Sequence, residues 1–185
     1  MREIEIKIRA TNLDAIKTKL EQLGCKLSDP ITQHDTIYSL AANTQEEWKE
    51  SKEGHVVMRI RRQGGSIEFN LKKQKTNELD NLEYETEITN PDDMHKILVE
   101  LGYVPQVEVK KVRRKCKLEH YEICLDEVEK LGSFVEIEEL ASDDANPEEI
   151  QKKLIEVLES LGLSRGDIET RGYDTQIYQS TIRES

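Results

Sequence analysis

The stretch EIEIKIR at residues 3–9 alternates strictly between charged and apolar side chains. This period of two is typical of a β-strand, in which successive side chains point to opposite faces. One face of the strand carries Ile4, Ile6 and Ile8, and the other carries two acids followed by two bases. Two interpretations follow: the charged face lies in water, or it lines a site where a metal ion meets an anion.

The length and the composition limit what the chain can be. Its 185 residues suffice for a substantial core, and we expect residues 1–185 to form a single domain. The net charge of −11 argues against non-specific binding to nucleic acid or to an anionic membrane, because both need a basic surface. A local basic pocket stays compatible with this charge.

The cysteines and the hydropathy bear on the compartment. Cys25, Cys116 and Cys124 are odd in number and fit no metal-binding spacing, so we expect reduced thiols. No signal peptide precedes the first strand, and no apolar run approaches the length that crosses a bilayer. The sequence therefore predicts a soluble cytoplasmic protein, either a monomer or a homodimer.

Three helices are predicted from apolar residues at helical spacing between an asparagine and a glycine. An asparagine side chain caps the first amide groups of a helix, and a glycine tolerates the left-handed conformation that ends one. Two of these helices begin at an Asn-Pro pair, which is a strong start signal. The predicted helices lie at residues 13–23, 91–101 and 147–161, and a further short helix is expected from residue 172.

The predicted strands are joined mainly as hairpins, one of them around the glycines at 64–65. This pattern favours an antiparallel α+β domain over a doubly wound parallel sheet. The polar stretch 42–54, which contains Trp48, is predicted as a loop with some helix. The predicted strands cover residues 3–9, 33–40, 55–62, 66–73, 83–89, 107–117, 120–126 and 134–140.

The charges on these strands are segregated by sign, strand by strand. Like charges on neighbouring strands destabilise a sheet unless something binds between them. A closed sheet would bring the acidic and basic faces together inside a tunnel. Carboxylates there suit a hard cation such as Mg²⁺ or Mn²⁺, and arginine and lysine suit the oxygens of a polyanion. The pattern indicates a site for a metal-bound polyphosphate.

An ordered set of short motifs covers nearly the whole chain. An E-x-E-x-K strand is followed by an R-x-R strand, a strand lysine, a glutamate strand, a K-x-R strand and a closing acidic signature. In this order the motifs resemble the CYTH family of triphosphate tunnel metalloenzymes, and within it the class IV adenylate cyclases of the CyaB type. The matching residues are Glu3, Glu5, Lys7, Arg59, Arg61, Lys72, Glu83, Glu85, Glu87, Lys111, Arg113, Asp126, Leu131, Gly132, Phe134, Glu136 and Glu138.

The resemblance implies a fold and an activity. The expected fold is an antiparallel eight-stranded β-barrel that forms a triphosphate tunnel, with helices packed outside. The expected function is conversion of ATP to cyclic AMP and pyrophosphate with Mg²⁺ or Mn²⁺. Hydrolysis of inorganic tripolyphosphate or thiamine triphosphate is the first alternative, and binding of a polyphosphate or nucleotide without turnover is the second.

The resemblance also assigns roles to residues of this chain. Glu83 and Glu85 are possible members of the site, and Asp35 is interpreted as either a turn acceptor or a site residue. The implied metal ligands are Glu3, Glu5, Asp126, Glu136 and Glu138. The implied triphosphate ligands are Lys7, Arg59, Arg61, Lys72, Lys111 and Arg113. The implied catalytic residues are Glu5, Lys7, Asp126 and Glu136.

Two positions depart from the family pattern. Lys73 stands after Lys72 where the family often has glycine, so strand parity decides which lysine faces the tunnel. The usual Ser-Tyr near the C-terminus is replaced by Gly172-Tyr173, so the sequence does not determine which element closes the tunnel there.

Overall fold

The computed structural model describes residues 1–41 and 53–183, and within these ranges it contains eight strands and four α-helices. The strands are β1 (Arg2–Arg9), β2 (Ile31–Leu40), β3 (Val56–Gln63), β4 (Ser66–Gln74), β5 (Asp80–Glu87), β6 (Tyr103–Leu118), β7 (Tyr121–Val128) and β8 (Gly132–Ala141). The helices are α1 (Leu13–Gln22), α2 (Pro91–Glu100), α3 (Pro147–Ser160) and α4 (Tyr173–Arg183). Most of the predicted loop at 42–54, including Trp48, lies outside the described residues.

The eight strands close into an antiparallel barrel in the order β1-β5-β4-β3-β2-β6-β7-β8. Strand β1 closes it, because it pairs with β8 from Arg2 opposite Ala141 to Arg9 opposite Phe134. On its other side β1 pairs with the start of β5. The predicted α+β fold, an eight-stranded antiparallel barrel with helices outside, is confirmed.

The apolar face of β1 packs against the helices outside the barrel. Ile4, Ile6 and Ile8 are each at most 4% exposed and share one core cluster with residues of α1 and α3, among them Leu20 and Leu154. Full burial of such a side chain contributes about 1.5–3 kcal/mol. Since neighbouring strand residues point to opposite faces, burying the isoleucines outside directs the charged residues into the barrel.

The helices begin where the sequence predicts. The side-chain oxygen of Asn12 accepts a hydrogen bond from the Ala15 amide, and those of Asn90 and Asn146 cap α2 and α3 in the same way. Each cap satisfies an amide group that the helix itself leaves unpaired. No helix within the described ranges is both long enough and apolar enough to cross a membrane.

Two predicted strand starts are wrong by three or more residues, and the other strand boundaries differ by at most two. Strand β5 begins at Asp80 and not at 83, because residues 80–82 pair with the start of β1. Strand β6 begins at Tyr103 and not at 107, although it contains Pro105. The register shifts beside Pro105, and such an irregularity accommodates a residue that has no amide hydrogen. The three cysteines are buried free thiols, as expected.

Candidate active site

The barrel encloses a cavity of about 230 Å³ whose walls are mainly charged. The predicted site residues come from seven strands, and all of them except Asp126, on β7, line this cavity. They are Glu3, Glu5, Lys7, Arg59, Arg61, Lys72, Glu83, Glu85, Lys111, Arg113, Glu136 and Glu138. The structure thus brings together residues that lie up to 135 positions apart in the chain, from Glu3 to Glu138.

One wall of the cavity is acidic. Glu138 lies directly opposite Glu5 on β1 and directly opposite Glu122 on β7. Burial raises the pKa of Glu138 to about 7, and repulsion from Glu5 and Glu122 adds to the shift. Burial likewise raises the pKa of Glu3 to about 8, with contributions from Glu83 and Glu138. The surroundings of Glu3 and Glu138 therefore disfavour their ionised forms.

The acidic wall fits a hard divalent cation. Mg²⁺ and Mn²⁺ prefer carboxylate oxygens, and a cation would favour the ionised forms of Glu3 and Glu138, which burial and neighbouring carboxylates disfavour. Glu3, Glu5 and Glu138 are the residues best placed to hold such an ion, with Glu136 next along β8. Within the described residues, no three acidic, histidine or cysteine side chains already stand in a complete metal-binding arrangement.

Lys7 joins the acidic wall to the basic one. Its Nζ atom lies 3.5 Å from a carboxylate oxygen of Glu5 and 3.5 Å from one of Glu136. It also stands 4.4 Å from the centre of the Tyr173 ring. Burial opposes its charge, but Glu5 and Glu136 raise the pKa of Lys7 above its ordinary value, so the ammonium group is retained.

Strand β6 supplies one half of the basic wall, and a buried aspartate holds it. Asp126 accepts hydrogen bonds from Arg113 Nε at 2.7 Å, from Lys111 Nζ at 3.2 Å and from the Tyr173 hydroxyl at 3.0 Å. Asp126 is 0% exposed and lies behind the lining, unlike the other predicted metal ligands. Arg113 also contacts Glu136. Burial and the charge of Arg113 lower the pKa of Lys111 to about 8.

Strand β3 supplies the other half of the basic wall, and Asp35 on β2 pairs with it. Arg61 donates from Nε and from its terminal nitrogen to the two oxygens of Asp35, both at 2.7 Å. Arg59 is less engaged, 3.9 Å from Asp35 and 3.7 Å from Glu85. Burial opposes ionisation of Asp35, but Arg61 and Arg59 lower its pKa below the usual range. Asp35 lines the cavity, because it occupies one of the alternate positions of β2 that face inward. This alternation is the sequence signal that identifies it as a site residue.

Strands β4 and β5 contribute a lysine and a glutamate in contact. Lys72 Nζ lies 2.6 Å from Glu83, and Asn70 Nδ2 donates to the same carboxylate at 2.9 Å. Although burial opposes it, Lys72 together with Arg59 lowers the pKa of Glu83 to about 2. Lys73 lies on the exposed face of the strand, so Lys72 is the lysine that faces the tunnel.

Helix α4 covers one side of the cavity with residues that the sequence left unassigned. Tyr173 is 8% exposed, and its ring lies within 4.9 Å of Lys111 Nζ and edge-on to Phe134. Glu78, in the loop before β5, accepts hydrogen bonds from the Gly172 amide at 2.6 Å and from the Thr175 hydroxyl at 3.0 Å. No local pattern in the sequence marks Glu78, because its role depends on a partner 94 residues away.

These features define a class of protein: a closed β-tunnel in which carboxylates that suit a hard cation face arginines and lysines that suit a polyanion. The model of the CYTH domain matches residues 1–173. The chain belongs to the CYTH family, whose members act on triphosphates.

Two relatives match almost the full length of the chain. A putative adenylate cyclase, MJ0240, from Methanocaldococcus jannaschii is 27% identical over 175 residues, covering 94% of this chain and 97% of the relative. The adenylate cyclase CyaB from Aeromonas hydrophila is 27% identical over 178 residues, covering 96% of this chain and 90% of the relative.

Solved structures share the fold. The PH1012 protein from Pyrococcus horikoshii is 31% identical, with a TM-score of 0.76 and coverage of 92% of this chain and 96% of that one. HpAC1 from Hippeastrum, described as a putative adenylyl cyclase with a dominant triphosphatase activity, is 21% identical. Its TM-score is 0.62, with coverage of 98% of this chain and 96% of that one.

Proposed function

We propose that this protein is a divalent-metal-dependent enzyme of the adenylate cyclase type, which converts ATP to cyclic AMP and pyrophosphate in the barrel. One observation carries the proposal: an acidic wall, in which the pKa values of Glu3 and Glu138 are raised, and a basic wall line the same cavity. Both nearly full-length relatives described above bear adenylate cyclase names, which supports the cyclase among the possible triphosphate reactions.

The acidic wall is proposed to hold Mg²⁺ or Mn²⁺ through Glu3, Glu5, Glu136 and Glu138. When bound, the ion supplies Lewis-acid stabilisation of phosphate oxygens. Asp126 was expected among these ligands, and the three donors that already occupy its oxygens favour a positioning role for it. In that role Asp126 keeps Arg113 and Lys111 directed at the substrate.

The basic wall is proposed to bind the three phosphates through Lys7, Arg59, Arg61, Lys72, Lys111 and Arg113. Phosphoryl chemistry depends mainly on positioning and on charge stabilisation, and these cations supply both. Although burial opposes it, neighbouring acids raise the pKa of Lys7 and Lys72, which keeps both lysines charged. Arginine adds a planar pair of donors that matches two phosphate oxygens at once.

In the proposed reaction the 3′-hydroxyl oxygen of ATP forms a bond to the α-phosphorus. The bond from that phosphorus to the oxygen bridging to the β-phosphate breaks, pyrophosphate leaves, and the hydroxyl proton passes to water. Glu5, Lys7 and Glu136 lie at the junction of the acidic and basic walls, where this phosphorus would be held. We assign the catalytic contribution to these residues, with Asp126 behind them.

Hydrolysis of a triphosphate is the second candidate, because HpAC1 has the same fold and is described as having a dominant triphosphatase activity. In this reaction water would attack the terminal phosphate of inorganic tripolyphosphate or thiamine triphosphate. The same two walls serve either chemistry. Which phosphate lies beside the nucleophile decides between them.

A product assay tests the proposal. The protein is incubated with ATP, tripolyphosphate or thiamine triphosphate and Mg²⁺ or Mn²⁺ at neutral and alkaline pH. Cyclic AMP with equimolar pyrophosphate establishes the cyclase, and phosphate released from tripolyphosphate with no cyclic AMP rejects it in favour of the hydrolase. Absence of turnover with every substrate, together with retained binding, leaves the non-catalytic alternative. Unchanged turnover in Glu136→Gln contradicts the metal-site assignment.

A further inference from the structure

Asn70 and Arg59 are direct cross-strand partners on β4 and β3, and both line the cavity. Each carries a buried polar atom with no hydrogen-bond partner among the residues that the structure describes: Oδ1 of Asn70 and Nε of Arg59. Asn70 is only 2% exposed. Buried polar atoms in folded proteins nearly always have a partner, so two neighbouring exceptions mark a place where a water molecule or a ligand group completes the pairing.

The contact with Glu83 determines the orientation of the Asn70 amide. Nδ2 of Asn70 donates to a Glu83 oxygen at 2.9 Å, and an ionised carboxylate can only accept. Glu83 also lies 2.6 Å from Lys72 Nζ, and a carboxylate paired with an ammonium group offers only acceptor oxygens. The amino group must therefore face Glu83, which leaves Oδ1 as an acceptor in need of a donor.

A phosphate group cannot satisfy both orphan atoms. Its oxygens accept hydrogen bonds, so one of them could pair with Arg59 Nε but would be repelled by Asn70 Oδ1. A free cation or a metal-bound water would suit Asn70, but the guanidinium charge of Arg59 beside it disfavours both. A hydroxyl group both donates and accepts, and thus fits Asn70 Oδ1 and Arg59 Nε together.

The rest of the Arg59 guanidinium places this hydroxyl near a phosphate. Its terminal nitrogens lie 3.9 Å from Asp35 and 3.7 Å from Glu85, so they are only loosely held and can contact an anion. One guanidinium can bind a phosphate through a terminal nitrogen and a neighbouring hydroxyl through Nε. In a nucleoside triphosphate, the sugar hydroxyls lie a few bonds from the α-phosphate.

We propose that Asn70 and Arg59 bind a sugar hydroxyl of the substrate, and that Asn70 makes the tunnel selective for nucleoside triphosphates over inorganic tripolyphosphate. This inference rests on the proposed function, since it requires a triphosphate in the tunnel. It adds that the substrate carries a hydroxyl, which thiamine triphosphate lacks beside its phosphates.

Equilibrium binding to the unaltered protein tests the inference without turnover. Calorimetry in EDTA compares ATP with 2′-deoxy-ATP, 3′-deoxy-ATP and tripolyphosphate. We expect ATP to bind about tenfold more tightly than at least one deoxy analogue, because loss of the hydroxyl leaves a buried acceptor unpaired. Equal affinity for ATP and both deoxy analogues overturns the proposal.

Substitution of Asn70 tests whether this residue causes the preference for ATP over the deoxy analogues. Asn70→Leu has a similar volume and removes the acceptor, so ATP and the deoxy analogues should bind within about twofold of one another. Lys73→Met, on the exposed face of the same strand, is the matched control and should keep the unaltered preference. If Asn70→Leu weakens the binding of all four ligands by the same factor, Asn70 acts only through Glu83 and the proposal is overturned. If the variant does not fold, the comparison in the unaltered protein decides alone.

These outcomes separate the inference from the proposed function. Discrimination among the deoxy analogues without any product from ATP and Mg²⁺ or Mn²⁺ supports the hydroxyl site and rejects the proposed chemistry. Formation of cyclic AMP with equal binding of ATP and both analogues supports the chemistry and overturns the hydroxyl site.

Discussion

Glu5 and Glu138 lie directly opposite each other across the antiparallel pair of β1 and β8, inside the barrel. Like charges in this position destabilise a sheet, and Glu122 adds a third carboxylate on the far side of Glu138. Burial, together with repulsion from Glu5 and Glu122, raises the pKa of Glu138 to about 7, so the neutral form is favoured below that pH and the repulsion is reduced. A cation bound between these groups, as proposed above, would displace the proton and reduce the repulsion, which would link the stability of the barrel to the affinity of the site.

The first prediction follows from this linkage. Without metal, the stability of the protein should fall as the pH rises from about 5 to about 8. The folded pKa values of Glu138 and Glu3, about 7 and about 8, exceed their ordinary value of 4.5, so each contributes stability that is full below about 4.5 and lost as the pH rises through the folded pKa. The loss should be on the order of 2–3 kcal/mol for Glu138. Thermal unfolding in EDTA at pH 5 and pH 8 measures it.

The control for this prediction is a pair of glutamine variants. Glu138→Gln should remove much of the decline, whereas Glu127→Gln, which is exposed on the neighbouring strand β7, should leave it unchanged. A melting temperature that stays constant or rises from pH 5 to pH 8 would contradict the assignment of raised pKa values to the acidic wall.

The second prediction concerns metal affinity. Glu5→Gln and Glu138→Gln should each weaken Mn²⁺ binding by about tenfold or more, because the charge and number of oxygen ligands determine the affinity for a hard cation. The loss of free-Mn²⁺ signal in electron paramagnetic resonance titrations measures the affinity. Glu87→Gln, exposed on β5, is the matched control. Wild-type affinity in both cavity variants would show that the ion does not bind between these strands.

The third prediction uses the neighbouring lysines of β4. Lys72→Met should weaken tripolyphosphate binding by about tenfold to a hundredfold, the cost of one charge-assisted hydrogen bond. Lys73→Met should change it less than about twofold, since Lys73 lies on the outer face of the barrel. Calorimetry at constant ionic strength measures both. A larger loss in Lys73→Met would mean that the strand register is wrong in this region.

The fourth prediction concerns the buried aspartate behind the basic wall. Asp126→Asn should lower the free energy of unfolding by about 3–5 kcal/mol, because Arg113 and Lys111 lose a buried counter-charge. Tyr173→Phe removes only a hydroxyl donor to the same carboxylate and should cost about 1 kcal/mol. Urea unfolding compares the two variants. A smaller loss in Asp126→Asn than in Tyr173→Phe would refute the anchoring role of Asp126.

The sequence by itself determined the secondary structure and most of the candidate site. The alternation at residues 3–9 and the asparagine caps act over a few residues, so they can be recognised without knowledge of the fold. Parity along a strand also selected Lys72, because a barrel has only an inner and an outer face. The errors at the starts of β5 and β6 arose where pairing with a distant strand, and not local composition, sets the boundary.

Only the tertiary structure decided which charges neutralise one another and what covers the tunnel. The pairing of Asp35 with Arg61, the three donors around Asp126 and the contact between Glu78 and the start of α4 join residues 13 to 94 positions apart. That Asn70 Oδ1 and Arg59 Nε are buried without a hydrogen-bond partner also follows only from the closed barrel. Electrostatic and hydrogen-bonding energies depend on distance and burial, and both are set by the closing register of the strands.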